Sequence, residues 1–209
     1  MSQIRLLAGL LSVSAFAADP ALNGILKSVE TRYNKAKSLQ VLFKEDYTPP
    51  GRARRSETGI LMLRKPGKMR WDYTQPEGKL VVSDGKYFWI YTPAENRVEQ
   101  VKFQQTDDMR APLAFLLGKL DFDKEFRNLT SRKEGDATRI LAEPKGDNLP
   151  YSNVEFLIGA DNRIREVKAT QFDHSVLIFT FDQERVDPPL DNKLFQFQPP
   201  PGSTTEGAR

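Results

Sequence analysis

The 209-residue sequence contains no cysteine and a single histidine, His174. The first absence excludes a disulfide framework, a thiolate metal site, a nucleophilic thiol and a lipid-modified N-terminal cysteine. With one histidine, a two-histidine or His/Cys zinc site is excluded too. A Ser-His-Asp triad would have to recruit His174, which lies in the polar turn Asp173-His174-Ser175 between two predicted strands, where its immediate neighbours cannot supply the geometry. Asp107-Asp108 and the pair Asp121 and Asp123 stand in charge-mixed loops and read as solvated carboxylates. Gly78 to Lys86 fails as a phosphate-binding loop, because one residue too many precedes Gly85 and Tyr87 occupies the place of the magnesium-binding Ser or Thr. No enzymatic activity, cofactor or metal is expected.

Long apolar runs and an excess of one charge are also missing. The one apolar run, Leu6 to Phe16, follows Arg5 and ends in the small-x-small pattern Ala15-Phe16-Ala17. That is the pattern of a secretory signal peptide over residues 1–17, too short for a permanent anchor, with a soluble mature chain expected from Ala18. The 31 cationic and 28 anionic residues give a net charge of +3, and loss of Arg5 leaves +2. A nucleic-acid binder concentrates positive charge, and here no such partner is expected. The densest basic cluster is Arg52, Arg54 and Arg55 beside Pro49-Pro50-Gly51. It reads either as a solvated hairpin tip or as a docking contact to anionic headgroups or an acidic partner.

Periodicity supplies the rest. Leu22, Ile25, Leu26, Val29, Tyr33 and Ala36 fall at helical spacing and predict an amphipathic helix over Pro20 to Lys37, with Glu30 largely off the apolar face. From Leu39 the period drops to two. Strands are predicted from Leu39 onward, over Arg55 to Arg64, around Met69-x-Trp71-x-Tyr73, over Leu80 to Ser83, over Lys86 to Thr92 and over Val98 to Phe103. Asp84-Gly85 is the strongest hairpin signal. Connections this short make the strands antiparallel, since a parallel crossover needs a dozen or more residues. Pro112 to Leu120 predicts a second, short helix carrying Leu113, Leu116 and Leu117. Further strands are predicted over Arg139 to Ala142, Asn153 to Ile158, Ile164 to Phe172, Val176 to Phe181 and Leu194 to Gln198, with residues 203–209 as a mobile tail. Nothing divides residues 18–202 into two domains.

The aromatic loading of the first strands is unusual. Met69, Trp71 and Tyr73 share one face of a strand. Tyr87, Trp89 and Tyr91 share one face of another, with Phe88 and Ile90 opposite. Aromatics at period two are ordinarily core. A hairpin apolar on both faces, however, needs two covers, or one cover and a ligand.

Gly59-x-Leu61 to Arg64, Lys65-Pro66, Met69-x-Trp71, Thr74-Gln75-Pro76, Val82-Ser83-Asp84-Gly85-Lys86, Trp89-x-Tyr91-x-Pro93 and Phe195-x-Phe197-x-Pro199-Pro200-x-Gly202 resemble, in this order, the outer-membrane lipoprotein carrier family LolA. The resemblance implies an α+β single domain, a half-open antiparallel β-barrel whose concave face is covered by short helices. It also implies a monomeric periplasmic chaperone. Such a chaperone takes acylated lipoproteins from an inner-membrane lipoprotein-releasing ABC transporter and hands them to an outer-membrane receptor. Carried over by position, Tyr33, Met69, Trp71 and Val81 would face the acyl chains and Leu116 would sit on the lid; Trp89, from the aromatic hairpin, joins this set. The family has an Arg before the Pro corresponding to Pro66, which latches the lid; here Lys65 stands there, with Arg64 one residue earlier. Lysine offers fewer and less rigid donors than a guanidinium. A sensing or regulatory module of the same fold is the alternative reading.

Overall fold

The structure is a computed structural model that describes residues 20–102, 120–146 and 151–207. Its helix α1 spans Pro20–Lys35, with Leu22, Leu26, Val29, Glu30 and Tyr33 buried along one face. Pro20 begins it, where a missing N–H costs nothing, and Arg32 and Lys35 occupy its last turn, where cations suit the helix dipole.

Six strands follow, β1 (Ser38–Thr48), β2 (Arg55–Arg64), β3 (Lys68–Gln75), β4 (Leu80–Asp84), β5 (Tyr87–Thr92) and β6 (Arg97–Lys102), each antiparallel to the one before. A second meander comprises β7 (Phe126–Glu134), β8 (Ala137–Pro144), β9 (Tyr151–Ile158), β10 (Ile164–Gln171) and β11 (Val176–Val186). The meanders join because β1 pairs with β11, Leu39 opposite Val186 through Thr48 opposite Val176. With β12 (Thr204–Gly207) beside β6, the described residues form one 12-stranded, unclosed, curved sheet whose edges are β12 and β7.

Register decides which side chains share a face. Val41, Leu61, Trp71, Val81 and Ile90 form one row across five strands, and Leu39, Leu63, Met69, Ser83 and Phe88 the next. These rows, together with Val154, Phe156, Val167, Leu177 and Phe179 of the second meander, form the inner face, on which the apolar side of α1 packs. Gly59 makes room there: a Cβ on it would lie 2.8 Å from Cε1 of Phe43, whose ring is turned edge-on to Trp71 and Tyr73.

Several expectations need correction. Leu194–Gln198 is not a strand. Asp191 accepts a hydrogen bond from Lys193 N (2.8 Å) and caps a 3-10 turn over Asn192–Phe195; beyond it the prolines at 199–201 deny ladder donors. The chain instead crosses the outer face as a strap. Arg64 Nη1 and Arg70 Nη1 donate to the carbonyls of Leu190 and Leu194 (both 3.0 Å), and Phe195 is buried. Thr204–Gly207, expected to be a loose tail, runs parallel to β6 as β12 and covers what would be a bare edge. Strand β7 was not expected, since its side chains are mostly exposed on both faces and show no alternation. Glu30 is on the buried side of α1, where it accepts a hydrogen bond from Phe122 N (2.9 Å). Asn34, one turn on, grips Leu120 at both its N–H (2.7 Å) and its carbonyl (2.8 Å). The helix predicted over Pro112 to Leu120, apart from Leu120, lies outside the described residues.

Candidate functional site: the inner face

The alternation of β3 aims Met69, Trp71 and Tyr73 inward, and β4 adds Val81 in register with Trp71. Met69, Trp71 and Val81 are all at most 1% exposed. Trp71 is ringed by Phe43 at 4.7 Å and Phe179 at 5.4 Å between ring centroids, and Tyr73 at 6.5 Å. Phe179 in turn stacks on Phe181 at 6.3 Å. The surface is apolar, aromatic and without direction, suited to chains that offer area and no hydrogen bonds. In this conformation it is spent on the protein's own packing. One cavity of about 10 Å³ lies against Tyr33, Leu39, Leu63 and Lys65, and another of about 10 Å³ against Tyr33, Val41, Leu61 and Phe181. Each is no larger than about one water molecule, far too small for an acyl chain.

Tyr33 occupies the expected place on α1, but its hydroxyl is fully engaged. It donates to Oε2 of Glu184 (2.6 Å) and accepts from Ile164 N (3.0 Å). Burial, reinforced by the Glu184 carboxylate, keeps that hydroxyl protonated far above the ordinary tyrosine range. Arg32 Nε donates to the other oxygen of Glu184 (3.0 Å). Lys65 donates from Nζ to the Tyr33 carbonyl (2.7 Å), and its backbone N–H reaches the Lys37 carbonyl (2.9 Å). It therefore holds the C-terminal end of α1 with one amine, and burial pulls its pKa below the ordinary lysine value. Arg64 points to the other face and fastens the strap.

Trp89 does not belong with the inner set. It pairs with Val82, on the outer face with Arg70 and Met62, and its ring packs 6.2 Å from Phe197 of the strap. The second cover that the two-faced hairpin demanded is the chain's own C-terminal segment. Leu116 lies outside the described residues. The arginines of the β1–β2 loop are partly committed: Arg54 lies 3.7 Å from Asp46 and Arg55 sits over the Tyr47 ring at 5.3 Å, while Arg52 is exposed. His174 is exposed in its turn, and among the described residues no group of three or more His, Asp or Glu is placed to hold a metal ion. Sequence reasoning missed Phe43, Phe179, Phe181 and Glu184. The first three carry the period-two signal and were traceable; Glu184 carries none, being one acidic residue in the polar run Asp182 to Arg185.

No described helix is long and apolar enough to cross a membrane. The sequence model of the family described as outer membrane lipoprotein carrier protein LolA matches residues 34–198. The outer-membrane lipoprotein carrier protein of Chromobacterium violaceum is 29% identical over 192 residues, 91% of this chain and 91% of that protein. Its counterpart in Proteus mirabilis is 27% identical over 199 residues, 95% of this chain and 96% of that one. Among solved structures, an uncharacterized conserved protein from Thermus thermophilus is similar with a TM-score of 0.53 at 14% identity, covering 90% of this chain and 99% of that one.

Proposed function

Because this chain belongs to the family of outer membrane lipoprotein carrier protein LolA, we propose that it is a periplasmic chaperone for acylated lipoproteins. It receives them from an inner-membrane lipoprotein-releasing ABC transporter and delivers them to an outer-membrane receptor. The observation that carries this reading is the row Val41, Leu61, Trp71, Val81 and Ile90, an apolar stripe five strands wide on one face of an unclosed sheet. A methylene in water costs about 0.8 kcal/mol, so three free acyl chains cost tens of kcal/mol. A carrier must cover that area and still let go.

Exchange of covers meets both needs. Empty, the inner face packs against α1 and its neighbours; loaded, Met69, Trp71, Val81 and Tyr33, with Leu116 from beyond the described residues, pack on acyl chains instead. Apolar area is buried in both states, so the net gain on loading is small and release needs no nucleotide at the carrier. Lys65 is a light latch, one amine on one helix carbonyl.

The test is extraction. Purified protein incubated with inner-membrane vesicles bearing a triacylated lipoprotein should co-elute with it, and acyl chains should crosslink to photoreactive groups at positions 71 and 116. Lipoprotein that stays with the vesicles, with no adduct at either position, overturns the reading. Binding without onward transfer to outer-membrane vesicles would favour the sensing module instead.

A further inference from the structure

The ladder between β10 and β11 stops early. It runs from Thr170 opposite Val176 to Glu166 opposite Thr180. Beyond that, β11 continues along β1 to Val186, while β10 stays with β9, which it pairs along its whole length to Ile164 opposite Ile158. Each diverging strand carries an irregularity at the split. The register of β10 shifts between Ile164 and Glu166, and β11 gains a residue against β1 between Asp182 and Arg185, with Gln183 at φ 52°. Bulges of this kind bend strands apart and re-aim side chains. Here the second one turns Glu184 inward to Tyr33.

The result is a fork in the sheet, a cleft of about 400 Å³. Leu157, Ile164 and Phe181 form its apolar walls; Arg165 and Asp182 stand among its charged lining residues. Ile164, Phe181 and Glu184 also wall the inner-face cavity against Val41 and Leu61. Cleft and inner face are therefore neighbours, and the Tyr33 hydroxyl, tied to Glu184 on one strand and to Ile164 N on the other, bridges the gap between them.

We propose that this fork is the port for the polar end of an acylated cargo. The ester and amide carbonyls of the lipidated residue lie between the lips of β10 and β11, and the acyl chains run inward past Ile164 and Phe181. Tyr33 is a positioning residue that keeps the port shut in the empty protein. The proposal rests on the carrier reading and adds where the cargo leaves the sheet. The exchange keeps the backbone paired: when Tyr33 withdraws, Ile164 N–H would be left without an acceptor, and a cargo carbonyl takes that role, while Glu184 keeps Arg32.

The absence of native cysteine makes the test direct. Arg165→Cys, Asp182→Cys and, in the β3–β4 turn three strands away from β11 across the sheet, Glu77→Cys are each labelled with a short photoreactive group and loaded with a triacylated lipopeptide biotinylated at its C-terminus. Biotin adducts at 165 and 182 should exceed those at 77 by about tenfold, the ratio that 1.4 kcal/mol of preference gives. Bound lipopeptide with adducts chiefly at 77, or evenly spread, overturns the port and leaves the carrier reading standing; lipopeptide that never binds the unsubstituted protein sinks both. Tyr33→Phe should speed hydrogen exchange at the Ile164 amide and lipopeptide entry by about tenfold, the loss expected for a hydrogen bond to a charged group. Phe195→Ala, a destabilised control on the outer face, should leave entry unchanged. If both variants speed entry alike, Tyr33 has only a structural role and the gate is refuted.

Discussion

Trp71 is fully buried among Phe43, Tyr73 and Phe179. In this structure it is an ordinary core residue, so Trp71→Ala should cost about 3–5 kcal/mol of unfolding free energy, read by urea denaturation. A cost under about 1 kcal/mol would mean that the inner face is not packed as described. Asp187 is the opposite case, an exposed carboxylate that works through the backbone. It accepts from Lys37 N (2.6 Å) and Ser38 N (3.1 Å) and closes the junction between α1 and β1. Those two N–H groups hold its pKa below the ordinary 3.8. A depressed carboxylate stabilises the fold above its unfolded pKa, and that contribution is lost as pH falls through the lowered folded value. Asp187→Asn should therefore lower the Tm at neutral pH and have no effect in strong acid. An equal deficit across that whole range would show that ionisation is not the cause.

Among the elements, the C-terminal segment departs furthest from its sequence reading. Phe195 and Phe197 alternate with Gln196 and Gln198 as in a strand, yet the chain there is a strap with no ladder partner among the described residues. Period two reports an extended chain with one buried side and is silent on whether its backbone pairs. The error runs the other way at β12, whose exposed side chains give no pattern because only its backbone is used, Thr204 opposite Arg97 through Gly207 opposite Gln100. A chain ending at Gly202 should expose β6 as an edge and self-associate, measurable by sedimentation. If it stays monomeric at high concentration, covering that edge is not what the tail does.

At the level of the molecule, the antiparallel meander and its inner face were legible because short Gly- and Pro-bearing turns leave no room for crossovers and because Trp71, Val81 and Leu61 fall on one side by parity alone. Trp89 was misassigned for a physical reason: an apolar face shows that something covers it, and residue type cannot say whether the cover is a guest or the chain itself. The fork between β10 and β11 was invisible, since it depends on where a ladder stops and not on which residues form it.

The pairing of β1 with β11 has a further consequence. Leu39 finds its neighbour on one side in Leu63, soon after in the chain, and on the other only in Val186. A polypeptide emerging from its N-terminus thus carries a half-clad first strand until nearly all of it has appeared, because a contact so distant in sequence forms late. The first strand therefore gains its second partner only once β11 has formed, and the two meanders lock together late.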